Sequence, residues 1–265
     1  MCLLFLAWRC DARRRLIAVG NRDEFHAREA LPLDARDAGV LAGWDVPGDG
    51  TWLGIAPGGR FAALTNFREP RRPQRPGPSR GRLVADYLRG DASPASYAAA
   101  IAPDLPHYAG FNLMLADADT LLHVSNRAPG PDGDPVERPL TQALAPGYHA
   151  ISNGYLGAPW PKVVRGRVHF ARLAVAPRAM PQDYLRLLTD TTAGCEEQLP
   201  QTGVGVAFER VLSRIFIRSP AYGTRCSTVL QLDTHGGGTI LEQRYRPDAT
   251  VAGITSLTLP TGAAA

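Results

Sequence analysis

The chain has 265 residues, 45% of them apolar and 20% charged, with a net charge of +4 and a pI near 9.0. That is the profile of a globular protein with a sizeable core; no run approaches the roughly 20 apolar residues of a membrane span, and the N-terminal apolar stretch turns polar at Arg9, too early for a secretory signal. Four cysteines (Cys2, Cys10, Cys195, Cys226) without C-x-x-C spacing exclude a disulfide framework and a zinc ribbon, so the expected location is cytoplasmic.

Cys2-Leu3-Leu4-Phe5-Leu6-Ala7-Trp8 and Leu16-Ile17-Ala18-Val19-Gly20 flank a polar turn at Asp11-Ala12-Arg13-Arg14 and read as an antiparallel hairpin. If Cys10 faces Arg15 across the turn, Cys2 stands opposite Asp23; a register shorter by one puts it opposite Arg22. Val40 to Trp44, Thr51 to Ala56 and Arg60 to Phe67 read as further strands between Gly-, Pro- and Asp-rich turns. Pro70 to Arg82 is a Pro/Arg-rich loop, expected to be mobile. Arg82 to Leu88 and Ser93 to Ile101 read as helices, the second with Ser93 at N-cap and Pro94 at N1. Phe111 to Ala116 and Leu121 to Ser125 form another hairpin, and a Pro/Gly loop around Pro129 to Pro135 precedes a strand ending at Ser152-Asn153. Helices follow at Pro161 to Ala174, Pro181 to Thr189 and Val206 to Phe216, then strands at Tyr222 to Leu232 and Thr239 to Arg246. The order describes one α+β domain over residues 1–255, with strand pairing at both ends and a frayed tail at 256–265.

Chemistry concentrates where strands end. Met1 precedes a small residue, a context from which initiator methionine is removed; removal leaves Cys2 with a thiol and a free α-amine that titrates near roughly 7.7–8.0. Such an amine can act as base for its own side chain, as it does for an N-terminal threonine. Arg22 would favour the thiolate, and Asp23 could orient the amine. Equally, a cysteine there can be a small apolar residue opening a buried strand. Leu64-Thr65-Asn66, Ser152-Asn153-Gly154 and Gly223-Thr224-Arg225 also end or enter strands, where carboxamides and backbone N–H groups suit a developing oxyanion. Singly, Asn66 and Asn153 are also ordinary turn formers. Trp44, Trp52 and Trp160 sit in Gly- or Pro-rich segments, where at least one ring is expected to line a ligand cleft. No phosphate-binding glycine loop, zinc-ligand histidine pair or C-x-x-C-H motif is present. The arginines between Arg68 and Arg82 lack interleaved aromatics, which argues against a nucleic-acid groove. Lys162 is the sole lysine.

Met1-Cys2, Asn21-Arg22-Asp23-Glu24, Gly50-Thr51-Trp52-Leu53-Gly54, Leu64-Thr65-Asn66, Ser79-Arg80-Gly81, Gly110-Phe111-Asn112-Leu113, Ser152-Asn153, Trp160-Pro161-Lys162 and Tyr222-Gly223-Thr224-Arg225 occur in the order of the NRDE-motif proteins. Over roughly residues 1 to 246 the chain thus resembles the transport and Golgi organisation protein 2 family. That family is similar to the N-terminal-nucleophile (Ntn) hydrolases, above all the cysteine branch of cholylglycine hydrolases and penicillin V acylases. The resemblance implies a four-layer αββα sandwich, Cys2 as nucleophile, Arg22 and Asp23 beside it, Asn66 and Asn153 near the oxyanion, and Arg225 as the late arginine. In the hydrolase branch the Arg and Asp are spaced more widely. It implies two functions: hydrolysis of a non-peptide C–N amide or thioester of a small amphipathic molecule with no required cofactor or metal, or binding and trafficking of haem or acyl-CoA in the same cleft.

Overall fold

The computed structural model describes residues 2–37, 39–72, 77–131 and 135–261. Its first sheet has, in spatial order, β12 (Gly147–Ile151), β1 (Cys2–Trp8), β2 (Arg14–Phe25), β13 (Tyr222–Asp233), β14 (Gly238–Tyr245) and β15 (Val251–Leu259). The second has β11 (Leu140–Ala143), β8 (Leu121–Ser125), β7 (Phe111–Ala116), β6 (Arg60–Asn66), β5 (Leu53–Ala56), β4 (Val40–Asp45) and β3 (Ala30–Arg36). All pairs in both sheets are antiparallel. A short ribbon joins β9 (Ala128–Pro129) to β10 (Pro135–Val136).

The layering follows from the two-residue period of a strand. On β1 the even positions Leu4, Leu6 and Trp8 join Leu53, Ile55, Phe61 and Met114 of the second sheet in one core. The odd positions Leu3, Phe5 and Ala7 face the opposite way, into α3 (Pro161–Val175) and α4 (Pro181–Leu188), and meet Phe170, Tyr184 and Leu188. On β6 the same alternation sends Ala62 and Leu64 against Leu83, Val84 and Tyr87 of α1 (Arg80–Arg89) and Ala98 of α2 (Pro94–Ile101). Helices therefore cover both outer faces of two stacked sheets: a four-layer αββα sandwich. Because β1 is covered on both sides, its apolar residues run continuously rather than alternating with polar ones. Each buried Leu or Phe there contributes roughly 1.5–3 kcal/mol of transfer free energy.

The hairpin, the Phe111–Ala116 and Leu121–Ser125 strands and the capped second helix lie where the sequence places them; the Ser93 side chain accepts a hydrogen bond from the Ser96 amide at 3.1 Å. The predicted helix from Val206 stops early: α5 ends at Leu212, where the Ser213 hydroxyl turns back to the Arg210 carbonyl at 2.8 Å. Strands β3, β11 and β15 were not anticipated. The expected frayed tail is corrected over residues 256–259, which complete β15, while residues 262–265, like Met1 and part of the Pro70 to Arg82 and Pro129 to Pro135 loops, lie outside the described residues. No helix among the described residues is long and apolar enough to cross a membrane.

Candidate functional site

The site is built at the open end of the β1–β2 hairpin. The hairpin register is the shorter one: Cys2 pairs with Arg22, and Arg22 pairs with Cys226 of β13 on its other side. Cys2, Arg22 and the inward core residues of β1 and β2 share the face that looks toward the second sheet. Asp23, one residue on, points to the helix layer. Across the sandwich, β6 ends at Asn66. Cys2, Arg22, Asp23, Asn66 and Trp52 line one cavity of about 520 Å³.

Arg22 is buried, with its guanidinium 4.5 Å from the Trp52 ring centroid and its Nη2 donating to Asp45 at 2.8 Å. Arg28 donates to the same carboxylate through Nε at 2.7 Å and Nη2 at 2.6 Å. Two guanidiniums on one carboxylate leave residual positive charge beside the cysteine. It does not fully offset burial, which is the main cause pushing the Cys2 thiol above its ordinary value; Asp23 and Glu24 push the same way and Arg22 opposes.

Hydrogen bonds tie Cys2 to its surroundings through backbone. Ser152 Oγ donates to the Cys2 carbonyl at 3.0 Å, Thr65 Oγ1 to the Ser152 carbonyl at 2.6 Å, and Asn112 Nδ2 to Thr65 Oγ1 at 3.2 Å. Asn153 is fully buried next to the cavity rather than lining it. Its Nδ2 donates to the Asn66 carbonyl at 2.9 Å, and its own carbonyl accepts from the Arg68 amide at 2.7 Å. Asn153 therefore fixes where Asn66 sits. Arg225 is directed elsewhere: its Nη1 donates to the carbonyls of Phe25, His26 and Arg28, each at 3.0 Å. The cause is a β-bulge between Thr224 and Cys226 that makes Arg225 the extra residue on its strand.

The helix layer buries a group that the sequence singles out by rarity alone. Lys162, on the first turn of α3, is 1% exposed, and its Nζ has no hydrogen-bond partner among the described residues. Burial pushes its pKa down to about 8, with Asp23 the largest opposing influence and Cys2 a smaller one. Asp23 Oδ1 accepts from Thr224 Oγ1 at 2.7 Å; burial pushes this carboxyl up, and Lys162 is the leading influence holding it down. The only usable signal in the sequence was rarity: a lone lysine in an arginine-rich chain.

A second cavity of about 810 Å³ shares Glu24, Asn66, Arg80 and Ala109 with the first. It is walled by Phe25, Phe67, Tyr108, Phe208 and Tyr222. Its arginines Arg68, Arg72 and Arg127 are ion-paired to Glu209, Glu137 and Glu69, at 2.6 Å in each case. Arg80, at the junction, makes no ion pair among the described residues; its Nη1 donates to the Gly110 carbonyl at 2.9 Å. The two cavities together form a cleft polar at the cysteine end and aromatic at the other.

A family model described as Transport and Golgi organisation 2 matches residues 1–247. The chain is 35% identical over 267 residues to the Transport and Golgi organization protein 2 homolog of Bos taurus and 32% identical over 267 residues to that of Homo sapiens, with 92% of each chain covered in both cases. Among solved structures it is similar to the C2A mutant of conjugated bile acid hydrolase from Clostridium perfringens, with a TM-score of 0.53 at 9% identity, covering 97% of this chain and 92% of that one. An N-acylethanolamine-hydrolyzing acid amidase ortholog from Caenorhabditis elegans is similar at a TM-score of 0.50 and 11% identity, covering 86% and 92%. At these identities the structural likeness shows the fold alone, that of the Ntn hydrolases.

Proposed function

The chain belongs to the Transport and Golgi organisation 2 family, and we propose that its site is a cysteine N-terminal-nucleophile centre hydrolysing an acyl amide, or a thioester, of a small amphipathic molecule. The observation that carries this reading is the Cys2–Arg22 pairing at the mouth of a cavity that continues into an aromatic one. The apolar acyl part of the substrate occupies the aromatic cavity, and its polar leaving group occupies the end near Arg22 and Arg28. Cys2 Sγ forms a bond to the carbonyl carbon, and the thiol proton passes to the free α-amine of Cys2. The C–N (or C–S) bond then breaks, and that proton leaves with the departing amine or thiol. Water cleaves the resulting acyl-cysteine and restores the thiol. Asn66 stabilises the oxyanion from a position set by Asn153.

The reading requires removal of Met1, which intact mass measures directly. Processed protein is then tested on a panel of acyl amides and acyl thioesters beside Cys2→Ala. Expected is turnover that falls to background in the variant while ligand binding survives. Processed wild type that cleaves nothing across the panel overturns the reading. A second reading is favoured by the raised Cys2 thiol: the same cleft carries haem or an acyl-CoA without a covalent step. It expects Cys2→Ala to keep both binding and function, unless the thiol ligates haem iron, when haemin affinity falls and its absorption spectrum moves.

A further inference from the structure

We infer that Glu24 and Arg80 read the reacting group of the substrate where the two cavities meet. Glu24 accepts the N–H of the amide and Arg80 donates to its carbonyl oxygen, so the site selects secondary amides over thioesters. This rests on the Ntn reading above and narrows its substrate class. In that mechanism neither the last residue of Asn21-Arg22-Asp23-Glu24 nor the middle one of Ser79-Arg80-Gly81 has a role.

The fold places both side chains at the junction. Glu24 stands two positions beyond Arg22 on β2, so the strand period puts it on the face that carries Arg22 and Cys2. Because Cys2 pairs with Arg22, Glu24 is its diagonal neighbour across the strand pair, a spacing that long side chains bridge. Arg80 comes from the other side of the sandwich, at the start of α1, which packs on β6. Its Nη1 is anchored on the Gly110 carbonyl at 2.9 Å, which also accepts from the Phe67 amide at 2.8 Å. Glu24, Arg80 and Asn66 each line both cavities, and Cys2 lines the first with them.

Both side chains are uncommitted. Every other arginine along the cavities is paired to a carboxylate: Arg22 and Arg28 to Asp45, Arg82 to Asp49, and Arg68, Arg72 and Arg127 to glutamates. Arg80 and Glu24 make no ion pair among the described residues, and Glu24 Oε1 accepts from the amide of Phe25, next in the chain, at 2.9 Å. Arg80 Nε and Nη2 and Glu24 Oε2 have no partner among the described residues and are not sealed from solvent.

A trans secondary amide points its C=O and N–H in opposite directions. The junction offers it a donor-only group from one side and an acceptor-only group from the other, with Asn66 sharing the carbonyl oxygen. A thioester keeps the carbonyl but has no N–H to donate, and an N-methyl amide has none either. Each would draw the Glu24 carboxylate out of water without a partner, a mismatch that discriminates more strongly than a missing methylene.

The probes are the hydroxypropyl amide of octanoic acid, its N-methyl derivative and the matching thioester. They are titrated calorimetrically into full-length Cys2→Ala protein freed of Met1, which binds without turnover. The secondary amide is expected to bind at least about tenfold tighter than either analogue. Adding Glu24→Ala should remove that preference by weakening the secondary amide alone, and Glu24→Gln, which keeps an acceptor without the charge, should retain part of it. Arg80→Met should weaken all three alike, since each keeps the carbonyl. Equal affinities across the series, no binding of any probe, a Glu24→Ala variant that weakens all three alike, or an Arg80→Met variant that changes none overturns the proposal. If Glu24→Ala does not fold, the Cys2→Ala series and Glu24→Gln decide it. The readout is binding, so processed wild type that cleaves no probe sinks the hydrolase reading separately, with the Glu24-dependent preference still measured.

Discussion

Arg68 and Glu209 meet at 2.6 Å with both side chains 3% exposed, and Glu209 also accepts from the Thr202 amide at 2.9 Å. Removing one partner of a buried pair strands the other charge, which costs about 3–5 kcal/mol. Glu209→Ala is therefore expected to lower the melting temperature by roughly 10 °C and to loosen the aromatic cavity that Arg68 borders. Calorimetry beside Glu209→Gln, which keeps the acceptor but not the charge, checks it; a drop of about a degree in the alanine variant would mean that Arg68 reaches water. At this scale the sequence told part of the site. Cys2, Arg22 and Asp23 could be placed together because a hairpin converts sequence offset into proximity. Arg225 could not be aimed, since a one-residue bulge redirects its side chain and leaves no trace in composition. Asn153 could be located but its amide could not, because its partner is a backbone carbonyl 87 residues away.

Elements explain which segments were readable. Strands buried on both faces read as apolar runs, unbroken in β1 and interrupted in β7 only by Asn112. β15 is an edge strand that is mostly exposed, and β3 lies at the edge of the other sheet with Pro32 in its run, so each shows only a short alternation, Leu31 and Leu33 in β3, Leu257 and Leu259 in β15. Helix α3 carries the element-scale test. Gly166 sits in its middle, where Ala is normally better by roughly 0.5–1 kcal/mol. Yet a Cβ there would clash with Cζ of Phe5, a fully buried ring stacked at 5.8 Å on Phe170 of the same helix. The ring has no free direction. Overpacking of this kind costs about 1–3 kcal/mol, so Gly166→Ala is expected to destabilise, opposite to the propensity rule. Denaturant unfolding with unchanged slope and lower midpoint checks this; a stabilised variant would show that α3 can ride outward from β1.

Across the whole molecule, the seam between the sheets holds one imidazole. His123 on β8 is 2% exposed, and its Nε2 lies 3.1 Å from Asn112 Oδ1. Asn112 Nδ2 is committed as a donor to Thr65 and to the Gly154 carbonyl at 3.0 Å. Its oxygen must therefore accept, and Nε2 carries the proton of a neutral ring. Nδ1 has no partner among the described residues, so a second proton would be buried without an acceptor. Burial accordingly pushes the His123 pKa from 6.5 down to about 4. A folded value below the unfolded one means that the unfolded chain binds more protons across that window. The contribution is complete above pH 6.5 and is lost as pH falls toward about 4. At about 1.4 kcal/mol per pH unit it amounts to on the order of 3 kcal/mol. Asp23, whose pKa burial raises, works in the opposite sense, gaining stability on protonation as pH falls. The acid limb of the wild-type stability curve thus sums groups of opposite sign, with Glu242 raised like Asp23, and Asp11 and Asp190 lowered so that they lose stability on protonation as His123 does. His123→Gln keeps an N–H for Asn112 and removes the titration, so its unfolding free energy should fall by about 2–3 kcal/mol less than wild type between pH 7 and pH 4.5. Urea unfolding at both pH values measures that difference. If the two proteins lose stability in parallel, the proton goes elsewhere, and the seam between the sheets does not set the acid limit of the fold.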